Sequence, residues 1–64
     1  MDKYFEFYAN GEWKALHVLT WKDAISKSKE YGYKVREITI QIISKSFDPN
    51  IGTTVIKEIT EKDD

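Results

Sequence analysis

The chain reads as an α+β protein in which one helix packs on one face of a small sheet, and three observations carry that reading. An Asn10-Gly11 pair sits between two aromatic-rich alternating runs, a single helical pattern follows over 21–31, and β-branched residues dominate the remainder. The expected order is β-β-α-β-β, with the N-terminal hairpin and the C-terminal strands in one sheet. Residues 1–64 form a single small domain in this reading, ending in a solvated acidic tail over 61–64.

Asn-Gly suits a two-residue type I′ turn, because both central residues need positive φ, which Asn tolerates and Gly adopts freely. Strands over 3–9 and 12–19 follow, and the turn sets their register. Phe5 then faces Leu16, Phe7 faces Lys14 and Lys3 faces Val18. On the other side Tyr8 meets Trp13, Glu6 meets Ala15 and Tyr4 meets His17. Phe5, Phe7, Leu16 and Val18 make an apolar core face. The second face holds Tyr4, Tyr8, Trp13 and His17, and no remaining element evidently covers it.

Thr20 reads as an N-cap whose hydroxyl accepts from the Asp23 N–H, and Asp23 also places negative charge at the positive end of the helix dipole. Trp21, Ala24, Ile25 and Ser28 recur at helical spacing, which predicts a helix over 21–31 with a narrow apolar stripe. Gly32 stands where a left-handed residue would end it. Such a short helix needs a sheet to pack on.

Residues 33–43 are rich in β-branched side chains. Ile38, Ile40 and Ile42 alternate with Glu37, Thr39 and Gln41, as in a half-buried strand. Val35 is out of phase, so either a bulge lies near Arg36-Glu37 or Val35 belongs to the preceding loop. Residues 44–52 read as a turn-rich connection in which Pro49 stops strand continuation, and Phe47 and Ile51 are candidates to fold over the aromatic face. A last strand is expected over 53–60.

Composition narrows function mainly by exclusion. A chain of 64 residues buries only about 60% of the surface its unfolded form exposes, so stability is marginal without staples or partners. Cysteine is absent, which removes disulfides and thiolate metal sites and fits a cytoplasmic location. Ten basic and eleven acidic side chains leave a net charge of -1, too little for global attraction to nucleic acid or anionic lipid. No apolar stretch approaches the ~20 residues of a membrane span.

His17 is the single histidine and has no cysteine or clustered carboxylate beside it, so neither a metal site nor nucleophilic catalysis is expected. Asp48-Pro49-Asn50 lacks the spaced carboxylates of a calcium loop and reads as a turn. Gly11, Gly32 and Gly52 are each explained by a turn or cap rather than a phosphate loop. The expectation is a non-enzymatic protein without cofactors.

What stands above background is the aromatic face. Cross-strand aromatic pairs can simply stabilise a hairpin, by ~0.2–1 kcal/mol relative to alanine pairs. An exposed patch of Tyr and Trp is also what binding hot spots are made of. The candidate protein-binding residues are therefore Tyr4, Tyr8, Trp13 and His17, with Lys14 as a rim charge. The partner is either a second copy, giving a homodimer, or a larger host or cellular protein. The alternative is a single-stranded nucleic acid stacked on the open sheet, which the near-balanced charge disfavours.

The run Tyr4 to Ile40 is similar in layout to small bacteriophage proteins that inhibit bacterial RNA polymerase. The shared features are a hairpin, a Thr-initiated helix and a strand entered through Gly32-Tyr33-Lys34-Val35. The resemblance implies that a stand-alone domain of this size can act by binding a larger protein. The last strand departs from that layout, and no site residue carries over.

Overall fold

The computed structural model describes residues 3–40 and 42–59, with side chains as far as residue 54. Thr60 and the acidic tail lie outside the described residues. The elements are β1 (Lys3–Ala9), β2 (Glu12–Leu16), α1 (Trp21–Tyr31), β3 (Lys34–Thr39), β4 (Ile42–Asp48) and β5 (Gly52–Ile59). They form one open antiparallel sheet in the order β2-β1-β3-β4-β5, with the helix on one face. The α+β class is as expected, and among the described residues there is one helix, also as expected, with five strands rather than four.

Asn10 and Gly11 have φ of 55° and 81°, as a type I′ turn requires. The ladder pairs Phe5 with Leu16, Phe7 with Lys14, Glu6 with Ala15 and Tyr8 with Trp13, matching the turn-derived register. β2 ends sooner than its alternating pattern suggests. The Val18 N–H donates to the Leu16 carbonyl at 3.1 Å, a tight reversal that carries the chain off the sheet toward the helix. Tyr4–His17 and Lys3–Val18 are consequently not ladder pairs, although Val18 still packs against the core.

The helix matches its sequence signals. The Asp23 N–H donates to Thr20 Oγ1 at 3.1 Å, and Gly32 closes the last turn with φ of 80°. Ala24 and Ser28 are buried on the sheet, with Trp21 and Ile25 flanking them, so the small side chains let the helix approach closely. Phe5, Ala24, Val35 and Phe47 form the core, and Phe7, Leu16, Val18, Trp21 and Ile25 pack around it.

The run expected as one strand over 33–43 is two. Thr39 pairs with Ile42, and Ile40 adopts φ of 51°, so the chain reverses there. A β-branched residue in the left-handed region is strained, and neither Gly, Asn nor Pro marks the reversal. The segment expected as a connection is therefore mostly β4, and the turn is confined to Asp48–Ile51. There the Asp48 carboxylate accepts from the Asn50 N–H at 2.9 Å and the Asp48 carbonyl accepts from the Ile51 N–H at 3.0 Å. Phe47 lies opposite Val35 in the helix-side core and Ile51 is exposed, so neither covers the aromatic face.

Val35 and Ile38 are out of phase because β3 is buried on both faces. Its pairing with β1 is regular throughout, which places Val35 and Glu37 beneath the helix and Arg36 and Ile38 on the other side. The bulge lies in β4 instead: Glu37 faces Lys45 and Ile38 faces Ile43, leaving Ser44 as the extra residue. That extra residue is used, because the Ser44 hydroxyl donates to Glu37 Oε2 at 2.7 Å. Lys45 and Lys3 stand 3.8 and 4.0 Å from Glu37 Oε1, which accepts no hydrogen bond, so cations from both neighbouring strands partly offset the buried charge without bonding it directly.

Two stability changes follow. Thr20→Ala should lower the unfolding free energy by about 1 kcal/mol in chemical denaturation, whereas Thr20→Ser should change it little. Ile40→Asn should raise it by roughly 0.5–1 kcal/mol, because Asn relieves the positive φ and the Ile40 side chain, 68% exposed, gives up little burial. A loss of stability in Ile40→Asn would contradict strain at this turn.

Candidate protein-binding face

Strand alternation assembles the face opposite the helix. β1 contributes Tyr4, Glu6 and Tyr8, β2 contributes Trp13 and Ala15, and β3 contributes Lys34, Arg36 and Ile38. Among the described residues no element outside the sheet lies across the Tyr8–Trp13 end. Ile38 and Ile43, cross-strand partners further along the face, are buried. The face therefore has a dry aliphatic region beside an aromatic and charged one.

The aromatic region is a pair of packed rings flanked by cations. Tyr8 and Trp13 are directly opposite, with ring centroids 5.1 Å apart and planes tilted by 59°. Arg36, paired with Glu6 across β1 and β3, lays its guanidinium 4.0 Å from the Trp13 centroid. Lys34 lies opposite Tyr8, and its ammonium sits 5.0 Å from that ring. Cation–π contacts of this kind contribute ~0.5–2 kcal/mol, more as water is excluded.

Glu6 and Arg36 fix the centre. Arg36 Nη2 and Nε donate to the same Glu6 oxygen, Oε1, at 2.6 and 2.8 Å. Both side chains are largely withdrawn from water, at 21% and 17% exposure, so the pair is held in one geometry rather than sampling solvent. The same guanidinium thus contacts the Glu6 carboxylate at its edge and the Trp13 ring beneath it.

Of the residues expected at the site, Tyr4, Tyr8 and Trp13 share this face, with Tyr4 at the end of the row and 48% exposed. His17 is exposed but follows the end of β2, outside the ladder. Lys14 is directed to the helix side, opposite Phe7 and 3.5 Å from Glu12, so it does not rim the aromatic row. Lys34 and Arg36 occupy the role assigned to it. Sequence reasoning missed both because their face depends on which strand β3 pairs with. The available signal was Glu6, a charge placed by the hairpin register on an aromatic face and needing a partner.

Among the described residues there is no cluster of His, Cys, Asp and Glu suited to a metal, and no helix is long and apolar enough to cross a membrane. No family model, curated protein or solved structure matches the chain.

Removing one member of the central pair should cost more than removing both. Arg36→Leu, which leaves Glu6 without its partner, should destabilise by about 1–3 kcal/mol. Adding Glu6→Gln should recover part of that loss. A double-mutant cycle by chemical denaturation that closes additively would show the two side chains to be uncoupled.

Proposed function

We propose that the protein is a small non-enzymatic binding domain that docks a protein partner on the sheet face bearing Tyr4, Tyr8 and Trp13. The observation that carries this reading is the Lys34–Tyr8–Trp13–Arg36–Glu6 ladder on the face the helix leaves free. Trp, Tyr and Arg are the side chains most enriched at interface hot spots, being large, rigid and able to bond at their edges. Here they are held by one another before any partner arrives, which reduces the ordering cost of association. The partner is a second copy of the chain or a larger protein that this domain modulates.

Charge on the face favours protein over nucleic acid. Glu6, paired with Arg36 on this face, would repel a phosphate backbone, and Arg36 already covers one face of the indole on which a base would stack.

Sedimentation equilibrium over a concentration series, with an immobilised-protein capture experiment alongside, tests the reading. Tyr8→Ala combined with Trp13→Ala should abolish association while the far-ultraviolet circular dichroism stays that of the folded protein. Unfolding of the double variant would make the rings structural and end the site assignment. Binding of an oligothymidylate that falls steeply with salt and depends on the same rings would replace the protein partner with single-stranded nucleic acid.

A further inference from the structure

The helix packs on β3, β1 and β4 but leaves β2 less well covered, and a cavity of about 310 Å³ opens between its C-terminal half and the hairpin. Phe7 and Leu16 of the hairpin, with Val35 of β3, supply apolar walls. Tyr31 and Tyr33 form an aromatic side. Phe7 and Tyr33 are 5.3 Å apart between centroids, Tyr33 and Tyr31 are 6.4 Å apart, and each pair is within 21° of parallel. Three near-parallel rings thus line one side of the cavity. Half-buried Leu16 and exposed Tyr31 and Tyr33 show that the opening reaches solvent.

The polar groups on this cavity are few and differ in availability. The Ser28 hydroxyl is already committed, donating to the Tyr33 carbonyl. Lys27 is the single charged side chain in the lining. It stands 5.8 Å from the Tyr31 ring and 3.9 Å from Glu30, an exposed pair on one helix that a competing carboxylate can displace at little cost. The site therefore combines an apolar, aromatic-lined body with one cation in its lining.

We propose that this cavity binds small planar aromatic acids, with the ring system against the Phe7–Tyr33–Tyr31 wall and the carboxylate on the Lys27 ammonium. The volume suits a bicyclic ring, since a cavity of ~150 Å³ already accepts benzene. Lys27 selects an anion over a neutral or cationic ligand of the same shape. The site lies on the helix side of the sheet, away from Tyr8 and Trp13, so it stands or falls separately from the protein-binding face.

The test is a titration of the isotopically labelled full chain with 2-naphthoate, followed by amide chemical shifts. Saturable shifts should cluster at Leu16, Lys27, Ser28, Tyr31 and Tyr33, with a Kd of about 1 mM or tighter. Lys27→Gln, at a solvent-exposed helical position, should weaken 2-naphthoate by about threefold while leaving neutral 2-naphthalenemethanol unaffected. Tyr31→Ala, also exposed, should weaken both ligands by roughly two- to tenfold by removing part of the wall. Shifts centred on Trp13 and Tyr8, absence of saturable shifts, or equal loss of both ligands in Lys27→Gln would overturn the proposal.

Discussion

The pairing of β1 with β3 ties the N-terminal hairpin to the C-terminal meander, and both faces of the molecule take their composition from it. β2 and β3 lie on either side of β1, so the chain must cross over that strand between them, and α1 makes the crossing. Closing so long a connection costs chain entropy before any contact is made. What offsets the cost is that β3 buries side chains on both faces once it is in place: Val35 and Glu37 beneath the helix, Ile38 on the other side. Because the β1–β3 register has no irregularity, Glu6 lies opposite Arg36 and Phe7 opposite Val35. A slip of one residue would put Arg36 under the helix and Val35 beside Trp13.

Two carboxylates hold the sheet from opposite sides. Glu37 is buried under the helix with a hydroxyl from the β4 bulge and ammonium groups from Lys3 and Lys45 around it. Glu6 holds Arg36 on the other face. Glu6–Arg36 and Glu37–Lys3 both join β1 to β3, strands distant in sequence, while Ser44 and Lys45 tie Glu37 to the following strand. A domain this small has little apolar area to specify one arrangement. Buried ionic partners add specificity here, since a wrong register would leave a charge unpaired in a dry site. Lys45 is used twice, near Glu37 and 5.0 Å from the Trp21 ring, and so couples the start of the helix to β4.

Features dictated by local chemistry were legible in the sequence. The Asn10-Gly11 turn, the hairpin register, the Thr20 cap and the Gly32 stop each depend on residues a few positions apart, and each stands as expected. The reversal at Ile40 was hidden for the converse reason. Its residues favour extended backbone, and the pairing of β3 with β4 imposes the turn on them. Pro49 was a true stop signal, but it ends β4 rather than preventing it. At the candidate site the same division holds. Tyr4, Tyr8 and Trp13 were placed by a local turn, whereas Arg36 and Lys34 arrive through pairing with a distant strand. Lys14 was assigned to the rim although the turn-derived register had already set it opposite Phe7.

The two faces differ in what they offer a ligand, and the difference follows from strand parity. On the open face, two packed rings are flanked by the cations that contact them, leaving a broad surface suited to a large partner. On the helix side, the rings stack with one another, and the short helix leaves the hairpin end less well covered, so the result is a concave apolar space with one charge at its edge. Phe7 and Tyr8, adjacent in β1, point to opposite sides and belong to different surfaces. The same division runs through β2, where Leu16 and Trp13 part, and β3, where Val35 and Lys34 part, so the two surfaces share the backbones of three paired strands. Regular β1–β2 and β1–β3 pairing therefore sets the composition of both surfaces at once, each drawn from the opposite side of the same strands.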